Sequence, residues 1–470
     1  MENSLVDRDK QVIWHPYTRQ KYAPDPIPIV RGEGIYLVDT SGNYYIDAIS
    51  SWWVNLHGHA HPYIAERIYE QAKTLEQVIF AGFTHKPAVD LAERILEILP
   101  GDFSKVFYSD NGSTAVEVAI KMAIQYWWNL QGVGSQESGI PSLKSEVKSD
   151  SEIVNLKPRN KILALKNSYH GDTFGAMSVS ERGLFTLAFQ DKLFEVIFID
   201  PADLANVISQ LTTNHSLTTH HSALTTHHSP RTTPDSRLDE IACFIYEPLL
   251  QGAGGMKIYE AEPLNRLLRI FKENGIICIA DEVMTGFGRT GKLFASEYIT
   301  SKPDIICLSK GLTGGTMALG VTVCSQKIHD AFVSDDKLKT FFHGHSYTAN
   351  PLACTAGLAS LDLLQMQTCI DSIKQINAAH CAFLSQLQTS NHKLQTKNHR
   401  CIGTILAFEI EAGKDDYLND IRAAITQKSL SKGVFLRPLG NTVYIMPPYC
   451  ITEKELDKIY AVIIDILEGA

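Results

Sequence analysis

The sequence lacks the features that mark secreted, membrane-spanning and zinc-binding proteins. Its nine cysteines stand singly, without a Cys-x-x-Cys pair, which argues against a disulfide framework or a zinc site and predicts reduced thiols. No uninterrupted apolar run reaches the roughly 18 residues of a membrane span. The opening segment, MENSLVDRDKQVIW, has no apolar core of the kind that a secretory signal requires. We therefore expect a cytoplasmic protein that does not bind membranes.

An excess of positive charge is also missing. Lys and Arg number 43 against 52 Asp and Glu, which gives a formal net charge of −9 and excludes a broad basic surface for nucleic acid. A chain of 470 residues with 44% hydrophobic residues is typical of a globular protein with more than one domain. We expect a large cofactor-binding α/β domain over residues 50–355. An N-terminal segment over 1–49 should pack with a small α+β domain over 356–470.

The middle of the chain alternates short apolar runs with amphipathic segments. Continuous apolar strands separated by helices predict an α/β fold with a mostly parallel sheet that helices cover on both faces. Further predictions are helices over residues 62–80 and 87–99, a hairpin around Gly440 and a closing helix over 453–467. The predicted strands end at Tyr108, Leu165, Ile199, Tyr246, Ala280 and Leu308.

Two polar segments interrupt this alternation, at residues 131–160 and 212–233. The second is rich in His and Thr, and its five histidines have no acidic or thiol neighbours. A set of ligands of that kind does not make a typical zinc site. We interpret both segments as surface insertions and assign no metal to them.

Reactive side chains follow the predicted strands. Asp281 closes one strand and Lys310 follows the next, and the carboxyl ends of parallel strands form the ligand crevice of an open sheet. Gly112 and Ser113 open a helix at the same edge, where N–H groups and hydroxyls can bind a phosphate. Tyr169 follows a further strand and offers a flat ring. A phosphate seat, a ring, a carboxylate and an amine together fit pyridoxal phosphate.

Glycine spacing suggests a different cofactor. Gly286–Gly291 has the spacing of a dinucleotide fingerprint and overlaps a P-loop pattern. A P-loop needs Ser or Thr after its Lys, whereas Leu293 follows Lys292, and a dinucleotide fold needs an acid where the next strand ends in Lys310. A nicotinamide-linked oxidoreductase is therefore an alternative with less support, and a binding protein without catalysis would leave the strand-end residues unexplained.

The segments Asp281–Gly291 and Pro303–Gly311 resemble the signature of the class III, or omega, aminotransferases. The resemblance runs from about residue 14 to the C-terminus, apart from the two polar segments. It implies a fold-type I pyridoxal-phosphate enzyme, with a mostly parallel sheet flanked by helices and a small α+β domain. It also implies ping-pong transamination through pyridoxamine phosphate, in a homodimer with its active sites at the subunit interface.

The resemblance assigns roles to individual residues. Gly112 and Ser113 would hold the cofactor phosphate, and Tyr169 would stack on the ring. Asp281 would pair with the pyridine nitrogen. Lys310 would form the Schiff base and move the substrate proton. Glu247, in a Tyr-Glu-Pro segment, matches an acid near the family's active site.

Four segments resemble the members of the family that act in biotin biosynthesis. They are Trp14–Thr18, Ser50–Asn55, Tyr169–Gly175 and Arg437–Pro448. This resemblance implies 8-amino-7-oxononanoate as acceptor, S-adenosylmethionine as donor and 7,8-diaminononanoate as product. A long aliphatic keto acid suits an apolar aromatic wall and an arginine for its carboxylate. The implied substrate contacts are Tyr17 (also a catalytic candidate), Trp52, Trp53, Tyr169, Lys310, Gly344, Arg437 and Tyr444.

One loop departs from the pattern of that group. Gly344, His345 and Ser346 stand where many members have Gly-Pro-Thr in a loop that reaches the cofactor phosphate of the neighbouring subunit. Ser346 keeps a hydroxyl donor, but a similar Gly-His-Ser loop occurs in relatives that use lysine as donor. Lysine therefore stays open as the donor, as does another omega-aminotransferase reaction on ornithine, a diamine or glutamate semialdehyde. The His-x-His-x-His run at 57–61 matches a turn in the family, so we assign no metal there.

Overall fold

A computed structural model describes residues 4–130, 159–214, 216–217, 236–412, 419 and 421–469. The two polar segments predicted as insertions fall almost entirely outside these residues. The helices are α1 (Leu5–Val12), α2 (Ser50–Trp53), α3 (Pro62–Ala72), α4 (Lys86–Ile98), α5 (Gly112–Leu130), α6 (Phe174–Val179), α7 (Leu204–Asn214), α8 (Ala261–Glu273), α9 (Gln326–Asp330), α10 (Pro351–Leu364), α11 (Gln367–Thr389), α12 (Ile421–Ser431) and α13 (Glu453–Leu467). The strands are β1 (Ile29–Glu33), β2 (Tyr36–Asp39), β3 (Tyr44–Asp47), β4 (Lys105–Ser109), β5 (Lys161–Leu165), β6 (Ile197–Ile199), β7 (Ser216–Leu217), β8 (Ser236–Arg237), β9 (Ile241–Tyr246), β10 (Leu250–Gln251), β11 (Lys257–Ile258), β12 (Ile277–Asp281), β13 (Ile305–Leu308), β14 (Gly320–Cys324), β15 (Thr396–Ile402), β16 (Ile405–Ile410), β17 (Val434–Phe435) and β18 (Thr442–Ile445).

The chain divides into two compact units. Unit 1 combines Met1–Glu66 with Leu363–Ala470, and unit 2 is Arg67–Asp362. The divisions thus follow residues 66 and 362, whereas the sequence-based expectation places them after 49 and 355. Pairing of β17 with β3 ties the two stretches of unit 1 together, because it joins a C-terminal strand to the N-terminal sheet.

Unit 2 is built on a seven-stranded sheet in the order β4-β14-β13-β12-β9-β5-β6. All six predicted strands are present. The strand that the sequence analysis missed, β14, runs antiparallel to β13 and β4 and inserts between them. The α/β fold with a mostly parallel sheet is therefore confirmed, with one antiparallel exception.

Helices cover this sheet and bury the strands. Every residue of β9, β12 and β13 is buried, which explains why these strands read as continuous apolar runs rather than alternating ones. Helix α5 contributes Val116, Ala119 and Ala123 to the same apolar cluster as Ile245 and Ile279 of the sheet. Packing of α5 on the sheet fixes the position of its N-terminus at the end of β4.

Unit 1 contains a mixed four-stranded sheet and an antiparallel three-stranded sheet, and the predicted hairpin around Gly440 is reduced to a tight turn. Strand β17 joins β1, β2 and β3, whereas β18 pairs with β16 in a sheet that also holds β15. A single bridge between Leu439 and Thr442 closes a tight turn, so the hairpin prediction is wrong beyond that turn. The closing helix α13 has the bounds that the sequence predicts.

The first predicted helix, over residues 62–80, is longer than the helix in the structure. Helix α3 ends at Ala72 instead of Phe80. Asn350 donates to the carbonyl of Glu76 and to the side-chain oxygen of Gln77, both at 3.0 Å. These tertiary contacts override the amphipathic pattern beyond Ala72. Among the described helices, none has the length and apolarity to cross a membrane.

A buried histidine connects three elements of unit 1. His380 Nε2 lies 3.2 Å from the carbonyl oxygen of Thr404, and Nδ1 lies 2.7 Å from the Tyr460 hydroxyl. A carbonyl only accepts, so Nε2 carries the proton and the tyrosine donates to Nδ1. Desolvation lowers the pKa of His380 to about 4, which keeps the ring neutral at physiological pH.

We expect Tyr460→Phe to lower the free energy of unfolding by roughly 1–3 kcal/mol, because it leaves His380 Nδ1 buried without a donor. The aromatic stack of residue 460 on Phe383, at 4.2 Å between ring centroids, survives the change. Urea unfolding measures the effect, with Tyr69→Phe at an exposed position as the control. Equal stability of the two variants would contradict the assigned hydrogen bond.

Candidate active site

Asp281 and Lys310 lie at the ends of adjacent strands, as the sequence predicts. Asp281 is the last residue of β12 and pairs in register with Cys307 of β13. Lys310 follows two residues after β13, with φ at 45°. A left-handed conformation of that kind costs a non-glycine residue about 1–2 kcal/mol. The strand ends therefore bring the acid and the amine to one edge, and the backbone at the lysine is strained.

A histidine that the sequence analysis missed fixes the aspartate. His170 Nδ1 lies 2.6 Å from Asp281 Oδ2, and both side chains are buried. The N–H of Val283 donates to Asp281 Oδ1 at 3.0 Å. These two contacts set the rotamer of the carboxylate. The only sequence signal for this role is that His170 adjoins Tyr169 in a strand-end loop.

Glu247 follows β9 and holds the loop that carries Tyr169. Its carboxylate accepts the N–H of Tyr169 at 3.0 Å and the N–H of Gly252 at 2.9 Å. Desolvation raises the pKa of Glu247 to about 7, with a smaller upward contribution from Asp281, while His170 and the two N–H groups oppose the rise. Glu247 thus positions the aromatic residue and also adds an ionisable group beside the strand ends.

Burial has the opposite effect on the amine. Desolvation lowers the pKa of Lys310 to about 8, although the carboxylates of Asp281 and Glu247 act to raise it. A lysine with this pKa is partly neutral near pH 7, whereas an ordinary lysine is almost entirely charged. Lys310 can therefore act both as a nucleophile toward a carbonyl and as a base.

The N-terminus of α5 has the features of an anion site. Asn111 accepts the N–H of Thr114 on its side chain and that of Ala115 on its carbonyl, both at 3.0 Å. Among the described residues, no acceptor takes the N–H groups of Gly112 and Ser113, which stay available for an anion. Gly171, at φ +132°, passes so close that a Cβ there would lie 2.0 Å from Ser113 Oγ.

The Gly344–Ser346 loop is closed by its histidine. The N–H of His345 donates to Thr348 Oγ1 at 3.1 Å, and Thr348 Oγ1 donates back to the carbonyl of His345 at 2.8 Å. His345 Nδ1 accepts the N–H of Tyr347 at 3.2 Å. Hydrogen bonds thus supply the rigidity that a proline would give this loop. The proposed phosphate contact of Ser346 stays a prediction.

Three of the predicted substrate residues, Tyr17, Trp52 and Arg437, form a second cluster, in unit 1. Trp52 contacts Tyr17 edge to face, with ring centroids 5.4 Å apart, and the Arg437 guanidinium lies 4.9 Å from the Trp52 ring. Arg437 makes no ion pair with a carboxylate of the described residues. The cation is therefore held over an aromatic face and is not neutralised there.

Trp53 and Tyr444 lie deeper than Trp52. Trp53 Nε1 donates to the Tyr444 hydroxyl at 3.0 Å, and both side chains are buried. The two residues therefore form a buried pair, next in sequence to Trp52 through Trp53. The structure brings Tyr17, Trp52 and Arg437 together, and it places Gly112, Ser113, Tyr169, Glu247, Asp281 and Lys310 in unit 2.

The sequence matches the profile of the Aminotransferase class-III family over residues 17–467. The chain belongs to this family. It is 43% identical over 465 residues to the adenosylmethionine-8-amino-7-oxononanoate aminotransferase of Synechococcus elongatus, with 97% of this chain and 98% of the relative covered. The crystal structure of the enzyme of that name from Methanocaldococcus jannaschii has a TM-score of 0.84 at 33% identity, with 99% of each chain covered. An amine transaminase from an uncultivated Pseudomonas species, solved in its PLP-bound form, has a TM-score of 0.79 at 28% identity, covering 97% and 99%.

Class III aminotransferases depend on pyridoxal phosphate, and the residues present fit this cofactor. The α5 N-terminus offers Gly112 and Ser113 to a phosphate, and a close approach of Gly171 confines that site. Asp281 is fixed as an acceptor for a ring nitrogen, and Lys310 has the lowered pKa that a carbonyl-reactive amine needs. The residues of unit 2 therefore suit the phosphate, the ring nitrogen and the aldehyde of the cofactor.

The free energy of unfolding of the cofactor-free protein should depend on pH because of Glu247. Because folding raises the pKa of Glu247 from 4.5 to about 7, the proton stabilises the folded state. That contribution is complete below pH 4.5 and is lost as the pH rises through 7. Its full size is about 3 kcal/mol. Urea unfolding of the cofactor-free protein at a series of pH values measures it.

The matched variant is Glu247→Gln, which cannot titrate. We expect the stability difference between wild type and this variant to fall between pH 4.5 and 7.5. Glu66→Gln, at an exposed position, should show no such trend. A wild-type-minus-variant difference that is independent of pH would contradict the raised pKa.

Proposed function

We propose that this enzyme transfers an amino group from S-adenosylmethionine to 8-amino-7-oxononanoate and produces 7,8-diaminononanoate for biotin biosynthesis. The observation that carries the proposal is the cluster of Tyr17, Trp52 and Arg437, in a class III aminotransferase whose relatives are named for this reaction. An apolar wall next to an unneutralised guanidinium suits a long aliphatic chain that ends in a carboxylate.

Acceptor recognition divides between the aromatic rings and the arginine. The aliphatic chain of the keto acid would pack against Trp52 and Tyr17, and Arg437 would bind the carboxylate with two N–H groups. Trp53 and Tyr444, which are hydrogen-bonded to each other, would anchor the segment that carries Trp52. Tyr17, with its hydroxyl, stays a candidate for a polar contact with the reacting amine as well as for packing.

The residues of unit 2 supply the proton chemistry. Pyridoxal phosphate, when bound, supplies an aldehyde for the amino group and a ring that accepts negative charge from the adjacent carbon. Lys310 Nζ would take the proton from the donor's α-carbon and return a proton after the amino group has moved. Asp281, oriented by His170, would keep a proton on the ring nitrogen. Gly112 and Ser113 would hold the phosphate, and Glu247, which accepts the N–H of Tyr169, would orient that residue toward the cofactor.

The proposed assembly is a homodimer with active sites at the subunit interface. Phe342 and Tyr347, which flank the Gly344–Ser346 loop, are 72% and 65% exposed in the single chain. Large apolar side chains of this exposure are typical of surfaces that a partner covers, and the loop between them would reach the partner's cofactor phosphate. We place the reaction in the cytoplasm, which the nine free cysteines support.

Lys310→Ala should remove the visible absorption of the lysine-bound cofactor and reduce turnover by about 10³-fold or more, because the variant lacks the group that moves the proton. Absorption spectra and steady-state rates of the purified variant measure both effects. Lys257→Ala, which removes an exposed lysine bonded to Asn167, is the control. Retention of turnover in the Lys310 variant would exclude it as the catalytic lysine.

Arg437→Ala should raise KM for 8-amino-7-oxononanoate by roughly 10- to 100-fold, because a charge-assisted hydrogen bond is lost. KM for the donor should change much less. Arg31→Ala is a matched control, since Arg31 lies 5.6 Å from the Tyr44 ring in the same unit. Equal increases in both KM values would remove Arg437 from the carboxylate role.

The donor is tested in the first half-reaction alone. S-adenosylmethionine, added without acceptor, should deplete the absorption of the lysine-bound cofactor, and lysine at the same concentration should not. Depletion by lysine only would keep the acceptor and replace the donor. Failure of both donors would point to another omega-aminotransferase reaction.

A further inference from the structure

The Trp52–Trp53 segment has an unusual backbone. Four consecutive residues have left-handed φ values: Ser50 at 51°, Ser51 at 59°, Trp52 at 140° and Trp53 at 73°. None of them is glycine, and each such residue costs about 1–3 kcal/mol. A run of this kind persists only where surrounding contacts over-determine it. The contacts that hold it should therefore control the placement of both tryptophans.

A buried carboxylate holds one side of the segment. Asp47, at the end of β3, is fully buried. Its Oδ2 accepts a hydrogen bond from Ser51 Oγ at 2.7 Å and lies 3.1 Å from His59 Nε2, while Oδ1 accepts the N–H of Ile49 at 3.3 Å. The aspartate thus links the strained turn directly to a histidine eight residues beyond Ser51.

His59 is held in one tautomer by its own neighbours. Its Nδ1 lies 2.9 Å from the Asn55 side-chain amide nitrogen, which donates, so Nε2 carries the proton and donates to Asp47. Gly32 packs against the ring so closely that a Cβ there would lie 2.3 Å from His59 Cβ. Both ring nitrogens are engaged in hydrogen bonds. The middle histidine of the His-x-His-x-His run therefore has a structural role that does not involve a metal.

The far side of the segment is held by residues around β18. Ser50 Oγ donates to the carbonyl of Met446 at 2.7 Å, and Trp53 Nε1 donates to Tyr444 at 3.0 Å. These anchors fix the first and last strained residues. Ser51 and Trp52, between them, depend on Asp47 and His59.

We propose that Asp47 and His59 are positioning residues that hold Trp52 against Tyr17 and Arg437 and thereby set the affinity for the acceptor. The inference rests on the proposed function, because it assigns the aromatic cluster to the keto acid. Loss of the His59–Asp47 contact lets the strained turn relax, and the Trp52 ring moves away from the arginine. The proton chemistry of Lys310 does not depend on this contact.

The test is a pair of substitutions at one position. His59→Gln places an amide N–H near the position of Nε2 and keeps the donor to Asp47, whereas His59→Leu removes it. We expect His59→Leu to raise KM for 8-amino-7-oxononanoate roughly 10- to 100-fold with the donor half-reaction unchanged within twofold. His59→Gln should restore most of the affinity. The milder Ser51→Ala, at an exposed residue, removes the other side-chain hydrogen bond to Asp47 Oδ2 and tests the same positioning role if His59→Leu does not fold.

A matched control separates positioning from stability. His392 forms a similar contact in unit 1, with Nδ1 2.7 Å from Glu468 Oε1. His392→Leu should lower thermal stability, but it should not raise KM for the acceptor more than KM for the donor. Near-ultraviolet circular dichroism of the cofactor-free protein gives a readout without activity. We expect the Trp52–Tyr17 coupling signal to weaken in His59→Leu and to return in His59→Gln.

The outcomes distinguish this inference from the proposed function. If wild type turns over 8-amino-7-oxononanoate but His59→Leu and Ser51→Ala leave its KM and the dichroism unchanged, the positioning role is refuted. Equal increases in both KM values in His59→Leu would also refute it, in favour of a general structural role. If wild type does not use this acceptor, the proposed function fails, and the dichroism still decides whether Asp47 and His59 place Trp52.

Discussion

Desolvation at the strand ends is the constraint on which the site depends. Lys310, Asp281 and Glu247 are brought together at the edge of a sheet whose strands are buried on both faces. Burial there disfavours every charge, so it pushes the amine toward its neutral form and the Glu247 carboxyl toward its protonated form. The two shifts move the pKa values of opposite groups toward the same range, about 8 and about 7.

Backbone strain occurs at both clusters. Lys310 has a φ of 45°, and the Ser50–Trp53 segment has four consecutive left-handed residues. Conformations of this kind are costly, and they survive where the surrounding structure supplies compensating contacts. At Lys310 the compensation comes from a buried sheet and from Ser309, whose Oγ donates to the carbonyl of Leu319 at 2.7 Å. At Trp52 it comes from Asp47, which is buried and bonded three times.

The sequence predicted the parts of the molecule that follow from local pattern. Continuous apolar runs identified the strands, and the rule that ligands bind at the carboxyl ends of strands then selected Asp281 and Lys310. The role of His170 was not predicted, because its partner Asp281 is 111 residues away in the chain and no periodicity of the sequence marks such a contact. Strand β14 was missed since its antiparallel insertion between β4 and β13 depends on long-range pairing. The predicted hairpin at Gly440 is limited to one tight turn for the same reason, because β17 and β18 pair with distant strands.

The assignment of the two clusters to different units of the chain bears on how such a fold acquires new substrates. Unit 2 contains the groups that any amine transfer needs, and their pKa values depend on burial that a change of substrate would leave intact. The aromatic residues and Arg437 lie in unit 1: Trp52 and Arg437 follow the short strands β3 and β17, and Tyr17 precedes β1. Under the proposed function, substitution of Trp52 or Arg437 would alter the acceptor and leave the sequence of unit 2 unchanged. The strained turn limits this freedom, because a residue at position 52 must adopt a φ of 140° and still contact Tyr17. Under the proposed function, specificity would vary with the side chain at position 52, whereas the backbone there would be fixed by the contacts of Asp47 and His59.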